Sequence, residues 1–314
     1  MNVVNTVNAI STMSTTNAAL GSLLPAHVSP SEFEAITHLL DDSDRAVVES
    51  VHNKLKSYGG AIVPALQHLY EHEEDAHARD FLLSLIREMR NDALQTLLEH
   101  IHERSESGKD IDLEESLILL SKFGYPETNS DEVKERLDAL ALRVHALYVK
   151  AHNPTELGLL LSINQAFFEE EGFSGVQDDD DYHNPDGSYA HRLLQRKRGI
   201  PISLSVLYIL VAERAGVSLH GVGMPAHFVV YHPELDVYID AFNNGAFLTY
   251  QDCKKFIAGA GFAFEPSMLE RATNLAIVLR MLRNLIFAYT KADAMWDVAA
   301  LQEVSHTIIE TMNQ

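Results

Sequence analysis

Two residues carry chemistry that this sequence could perform: His227, in "HFVVYH", and Asp240, in "DVYIDAF". Both stretches are short, rich in β-branched and aromatic residues, and punctuated by Pro, Gly and Asn. Each is therefore expected to be a strand, with turns between them. In a hairpin of this separation the two side chains can sit side by side on one face of the sheet. An aspartate beside a histidine fixes the tautomer of the imidazole and stabilises its protonated form. Upstream runs "QRKRGIPISLSVLYILVAERAGV", Gln195 to Val217, a helix entrance followed by an apolar stripe. A helix N-terminus aimed at the pair could present a nucleophile activated by the base and by the helix dipole. Helix, histidine strand and aspartate strand in this order have the layout of a Cys-His-Asp site. The same layout also describes a buried pair that only satisfies its own hydrogen bonds.

Other groupings fail on geometry. "HLYEHEEDAH" holds His68, His72 and His77. The zinc-protease motif needs two histidines four apart with Glu directly after the first. His72 and His77 are five apart and diverge around a helix. His68 and His72 share a face but lie in a Glu-rich, solvated stretch, so no metal is expected. The loop from Asp178 to Ser188 has five Asp residues and a Gly, but lacks the alternating ligands and final Glu of a calcium loop. "GVGMPA", Gly221 to Ala226, leads into another strand rather than a helix, so it is no dinucleotide fingerprint. No cofactor is implied.

The elements that must position the pair are mostly helical. From Ser31 to about His152 the pattern is helix throughout, opening with "SPSEFEAITHLL" and pausing at Gly59-Gly60. Two paired-helix units are expected, starting near Asp44 and Asp75, one helical-repeat length apart. "LLDDSDRAVVESVHNKLKSYGGAIVPALQHL" resembles a HEAT-type repeat, with its Asp-rich turn and a proline in the second helix. Strands "LHGVGM", "HFVVYH", "DVYIDAF" and "AFLT" follow the helix at Pro201. From Tyr250 the chain returns to helix and ends in two long amphipathic helices that resemble one tetratricopeptide unit.

Composition narrows the partners. The formal net charge of −21 argues against nucleic acid and against an anionic membrane. One cysteine, Cys253, rules out a disulfide framework and a cysteine-rich zinc site within the chain, and fits a reducing, cytoplasmic location. The opening residues lack the basic start and continuous apolar run of a secretory signal, and a disordered leader is expected over residues 1–29. No apolar run reaches transmembrane length.

The motifs "RRGxPxSL" (here Lys197 to Leu204), "GVxxPxHF" (Gly221 to Phe228) and "IDxFNxG" (Ile239 to Gly245) resemble the transglutaminase-like core of bacterial SirB-type proteins. The resemblance covers roughly residues 115 to 314, and the family's helical, tetratricopeptide-like companion region matches the C-terminal tail. It implies a papain-like α+β core with a cysteine at the helix N-terminus, a histidine on a strand and an aspartate on the next. His227 and Asp240 match the second and third members. Counted back from the Ala215-Gly216 end of the helix, the cysteine position falls on Pro201, which cannot attack a substrate.

Other groups could stand in for it. Ser203 points roughly to the opposite side of the helix, whereas Ser205 shares Pro201's side one turn deeper, where it could hydrogen-bond His227. Cys253 begins a different helix, a position that lowers a thiol's pKa. Arg196, Lys197 and Arg198 could hold an anion at the helix entrance or pair with the run Asp178 to Asp181.

The expectation is thus a mostly helical α+β chain with four segments. These are a leader (1–29), HEAT-like helices (30–150), a transglutaminase-like core with a small antiparallel sheet (151–262) and a tetratricopeptide-like helix pair (263–314). Two functions remain open. One is a non-catalytic protein-interaction or scaffold module whose partner is a protein or peptide. The other is an acyltransferase or amide hydrolase with His227 as base, Asp240 as orienter, and Ser205 or Cys253 as nucleophile.

Overall fold

Capping residues and glycines set where the helices begin and end. The computed structural model describes residues 20–312. The described residues divide into two compact units, one of residues 20–93 with 122–128, the other of residues 94–121 with 129–312. These boundaries differ from the four expected segments. The helices after residue 94 group with the sheet, and so does the C-terminal helix pair.

The first unit holds α1 (Pro30–Thr37), α2 (Arg45–Ser57), α3 (Val63–His72) and the first part of α4 (Ala76–Glu106). Pro30 sits in the first turn of α1, where its missing N–H costs nothing. The Asp44 carboxylate accepts from the Ala46 N–H at 2.9 Å and caps α2. Phe33, Leu55, Ile62, Leu66, Leu82 and Leu85 form its core. Gly60 is required, because a Cβ there would stand 2.0 Å from the Pro126 carbonyl oxygen. The second helix pair expected from Asp75 is instead the single 31-residue helix α4, which contains neither Gly nor Pro to break it. Of the expected leader, residues 1–19 lie outside the described residues. Leu20, Leu23 and Leu24 pack on the first unit's core and Val28 is buried, so the described part of that segment is built in.

The second unit continues from α4 into α5 (Leu113–Gly124), α6 (Ser130–Ala151) and α7 (Glu156–Asn164), which runs on into a π-helical turn, Gln165–Glu170. Next come β1 (Ser174–Gly175), α8 (Asp179–Tyr182), α9 (Ala190–Arg196), β2 (Arg198–Gly199) and α10 (Pro201–Arg214). Residues Pro201 to Ala212 of α10 are all buried. A helix apolar on every side must be surrounded, and α10 packs against α6, α7, α9 and the sheet.

That sheet is an antiparallel meander of β3 (His220–Val222), β4 (Val229–His232), β5 (Val237–Asp240) and β6 (Ala246–Leu248), in this order. Tyr231 faces Tyr238 and His232 faces Val237 across β4 and β5. β1 and β2 form a short parallel pair beside it. The chain closes with α11 (Tyr250–Gly259), α12 (Asn274–Lys291) and α13 (Met295–Met312). A reciprocal Thr249–Asp252 capping box starts α11. The whole is a mostly helical α+β protein, as its pattern of periodicities predicts. No helix among the described residues is long and apolar enough to cross a membrane.

Candidate functional site

Asp240 ends β5, while His227 stands two residues ahead of β4, in the turn after β3, rather than on a strand as expected. The turn makes room for the imidazole beside the strand end. His227 Nε2 lies 2.9 Å from Asp240 Oδ2, with 6% of the histidine and 4% of the aspartate exposed. The carboxylate also accepts from the Phe242 N–H (3.1 Å), the Asn243 N–H (3.2 Å) and the Asn243 Nδ2 (2.8 Å). Burial pushes the Asp240 pKa up, but the hydrogen bonds and charge of His227 and the Asn243 bonds outweigh it, and the carboxyl lies below its ordinary 3.8. Asp240 thus holds the imidazole by Nε2, so in the neutral ring the lone pair belongs to Nδ1. Phe256 and Phe242 flank the ring, at centroid distances of 4.9 and 6.0 Å.

Among the described residues, no hydroxyl or thiol hydrogen-bonds to His227. Pro201 is the first residue of α10 and is buried. The Ser205 hydroxyl, expected to reach His227, donates to the Phe228 carbonyl at 3.5 Å and is fully buried. Ser203 donates to the Gly187 carbonyl at 2.5 Å. Cys253 sits in the first turn of α11, where a lowered pKa was expected. Burial, then the charges of Asp252 and Asp240, push its thiol from 9.0 up to about 11. With no solvent exposure it is a packed core residue beside Val229 and Tyr238.

The basic cluster at the helix entrance is occupied. Arg196 pairs with Asp181 and, at 3.4 Å, with Asp186. Lys197 pairs with Glu171 at 2.5 Å, and Arg198 donates to the Ser174 hydroxyl and the Gly172 carbonyl. Two charges of opposite sign, close together at the surface, find each other before they find a ligand.

Sequence reasoning missed two residues here. Asn243 clasps Asp240 through the turn after β5, a role hinted at only by the "DAFN" spacing. Arg280 on α12 donates from Nη2 to the carbonyls of Met224 (2.9 Å) and His227 (2.7 Å), clamping the turn that carries the histidine. Its guanidinium lies over the Phe228 ring at 5.5 Å. Among the described residues neither Arg280 nor Arg283 has a carboxylate partner. A cavity of about 750 Å³ lies elsewhere, at the far end of α10, lined by Leu113, Leu210, Arg214, Val217, His220 and Arg271. The length of α10, about 20 Å, separates that end from Pro201.

A buried helix followed by a sheet with a paired histidine and aspartate near its strand ends keeps the order that the sequence resemblance implies. Residues 131–283, just under half of the chain, match the family described as the transglutaminase-like superfamily. A UPF0162 protein of Xylella fastidiosa strain Temecula1 is 36% identical over 149 residues, covering 45% of this chain and 52% of the relative. A UPF0162 protein of Vibrio cholerae is 26% identical over 181 residues, covering 56% and 65%. F-box only protein 21 of Homo sapiens is 36% identical over 109 residues, covering 32% of this chain and 17% of that protein. The chain thus spans about half the length of the first of these relatives. No solved structure matches it.

Proposed function

We propose that the transglutaminase-like domain is a non-catalytic, SirB-type module that binds a protein segment. The observation that carries this reading is the environment of His227: held by Asp240, 6% exposed, and bonded to no nucleophile, with Pro201 at the helix entrance. A pair so placed ties the β3–β4 turn to the end of β5 and so holds the frame. One observation favours the catalytic alternative: Nδ1 of His227 makes no protein hydrogen bond among the described residues, as a base awaiting a proton would require.

The partner's chemistry follows from charge. In a chain of net charge −21, Arg280 and Arg283 stand one helical turn apart on α12 without acid partners. Exposed Phe287 continues the same face, with Lys291 over its ring at 5.5 Å. Paired guanidinium groups beside an aromatic ring suit an acidic segment carrying an apolar side chain. The test is polarisation of a fluorescein-labelled oligoglutamate peptide at low salt. Arg283→Glu, a change at an exposed position, should weaken binding about tenfold, whereas Arg271→Glu should leave it unchanged. Equal binding by the native protein and the Arg283→Glu variant would remove the acidic segment as partner.

A further inference from the structure

The geometry points to a divalent transition-metal site at the end of α3, formed by His68, Glu71 and His72. One ligand atom from each residue lies within 4.8 Å of the other two. The two imidazoles are one helical turn apart, with centroids at 4.4 Å and planes inclined by 39°. His72 donates from Nδ1 to the His68 carbonyl at 2.7 Å, which fixes its ring and leaves Nε2 as the ligand atom. Metal-binding histidines are oriented in this way, by a hydrogen bond from the nitrogen that does not touch the ion.

The second observation is independent of this convergence. His68 Nε2 is buried and has no hydrogen-bond partner. A buried imidazole nitrogen without a partner is uncommon, and an ion held jointly with His72 would satisfy it. Glu71 and His72 are exposed, so an ion can enter and water can complete its shell. Two imidazoles and one carboxylate suit zinc, nickel or copper, and not calcium or magnesium, which take oxygen ligands.

Searching for Glu directly after the first histidine overlooks this site, because here Glu71 precedes the second one, in the order His-x-x-Glu-His. That order also occurs in one class of zinc proteases. Among the described residues only these three groups converge. Glu71 is here one of the three ligands, so among the described residues no further converging carboxylate is left to serve as the general base of a hydrolytic centre. His77, on α4, is not a member. Glu73 accepts from the N–H groups of Glu74 and Asp75 and is committed to the turn. Because the ligands meet only when α3 is formed, binding stabilises the folded state.

The test uses the full chain, titrated with cobalt(II) alone and followed by visible absorption, with zinc-dependent melting as a second measurement. The native protein and His77→Ala should both develop the cobalt bands and melt higher with zinc. His72→Ala, an exposed change, should abolish both responses, and Glu71→Gln should weaken cobalt binding about tenfold. No cobalt spectrum in the native protein, or one that survives His72→Ala unchanged, overturns the site.

Discussion

At the scale of the residue, the pair His227–Asp240 acts as a bond between a turn and a strand end. Four donors satisfy the Asp240 carboxylate, which would otherwise be buried at high cost. Removing the imidazole leaves that carboxylate with fewer partners. His227→Ala should therefore cost about 3 kcal/mol in urea unfolding. The same bond sets a pH dependence. The folded pKa of Asp240 lies below 3.8, so the stabilisation is present above the unfolded value and is lost as pH falls through the folded one. Asp240→Asn should flatten the acid limb of a stability-against-pH curve. An unchanged acid limb would assign that dependence to other carboxylates. The pairing itself was legible in the order of the two residues along the chain, although His227 comes from the turn before β4 and not from the strand. The clasp by Asn243 and the clamp by Arg280 were not legible. One depends on the shape of a turn, the other on contact between α12 and a loop over fifty residues away.

Among the elements, α10 and the meander were the easiest to read. Gly199 and Pro201 mark the helix start, and Pro, Gly and Asn separate the strands at nearly their observed ends. The length of α4 was misread because repeat spacing suggested a break where no helix-breaking residue exists. The division into two units was hidden because it rests on packing between distant segments, such as residues 122–128 joining the first unit. Close approach of elements also explains glycines that no turn requires. At Gly175 in β1 an added Cβ would lie 2.6 Å from the Phe242 ring and 2.7 Å from its carbonyl oxygen. Phe242 flanks His227, so Gly175→Ala should displace that ring and destabilise the second unit by about 1–3 kcal/mol. Denaturant titration would measure the loss. A stability equal to that of the native protein would show that the β1 strand yields without cost.

For the molecule as a whole, the formal net charge is −21, and two groups of basic residues lie close to the transglutaminase-like features. At the entrance to α10 Arg196 is paired with Asp181 and Asp186 and Lys197 with Glu171, while Arg198 donates to the Ser174 hydroxyl and the Gly172 carbonyl. On α12 Arg280 and Arg283 have no acid partner among the described residues. The proposed acidic partner is placed at Arg280 and Arg283 because two guanidinium groups there share one helix face beside exposed Phe287. The proposed non-catalytic reading rests on Pro201 at the start of α10 and on Ser205 and Cys253, which are buried without a bond to His227. The most direct measurement is labelling by an iodoacetamide probe, comparing the native protein, His227→Ala and a Pro201→Cys variant in a Cys253→Ser background. The native protein and His227→Ala should both stay unlabelled while folded, because Cys253 is buried, and Pro201→Cys, also at a buried position, should react only as fast as the helix start opens to solvent. Rapid labelling of the native protein that disappears in His227→Ala would contradict the account, because it would reveal a nucleophile activated by that histidine.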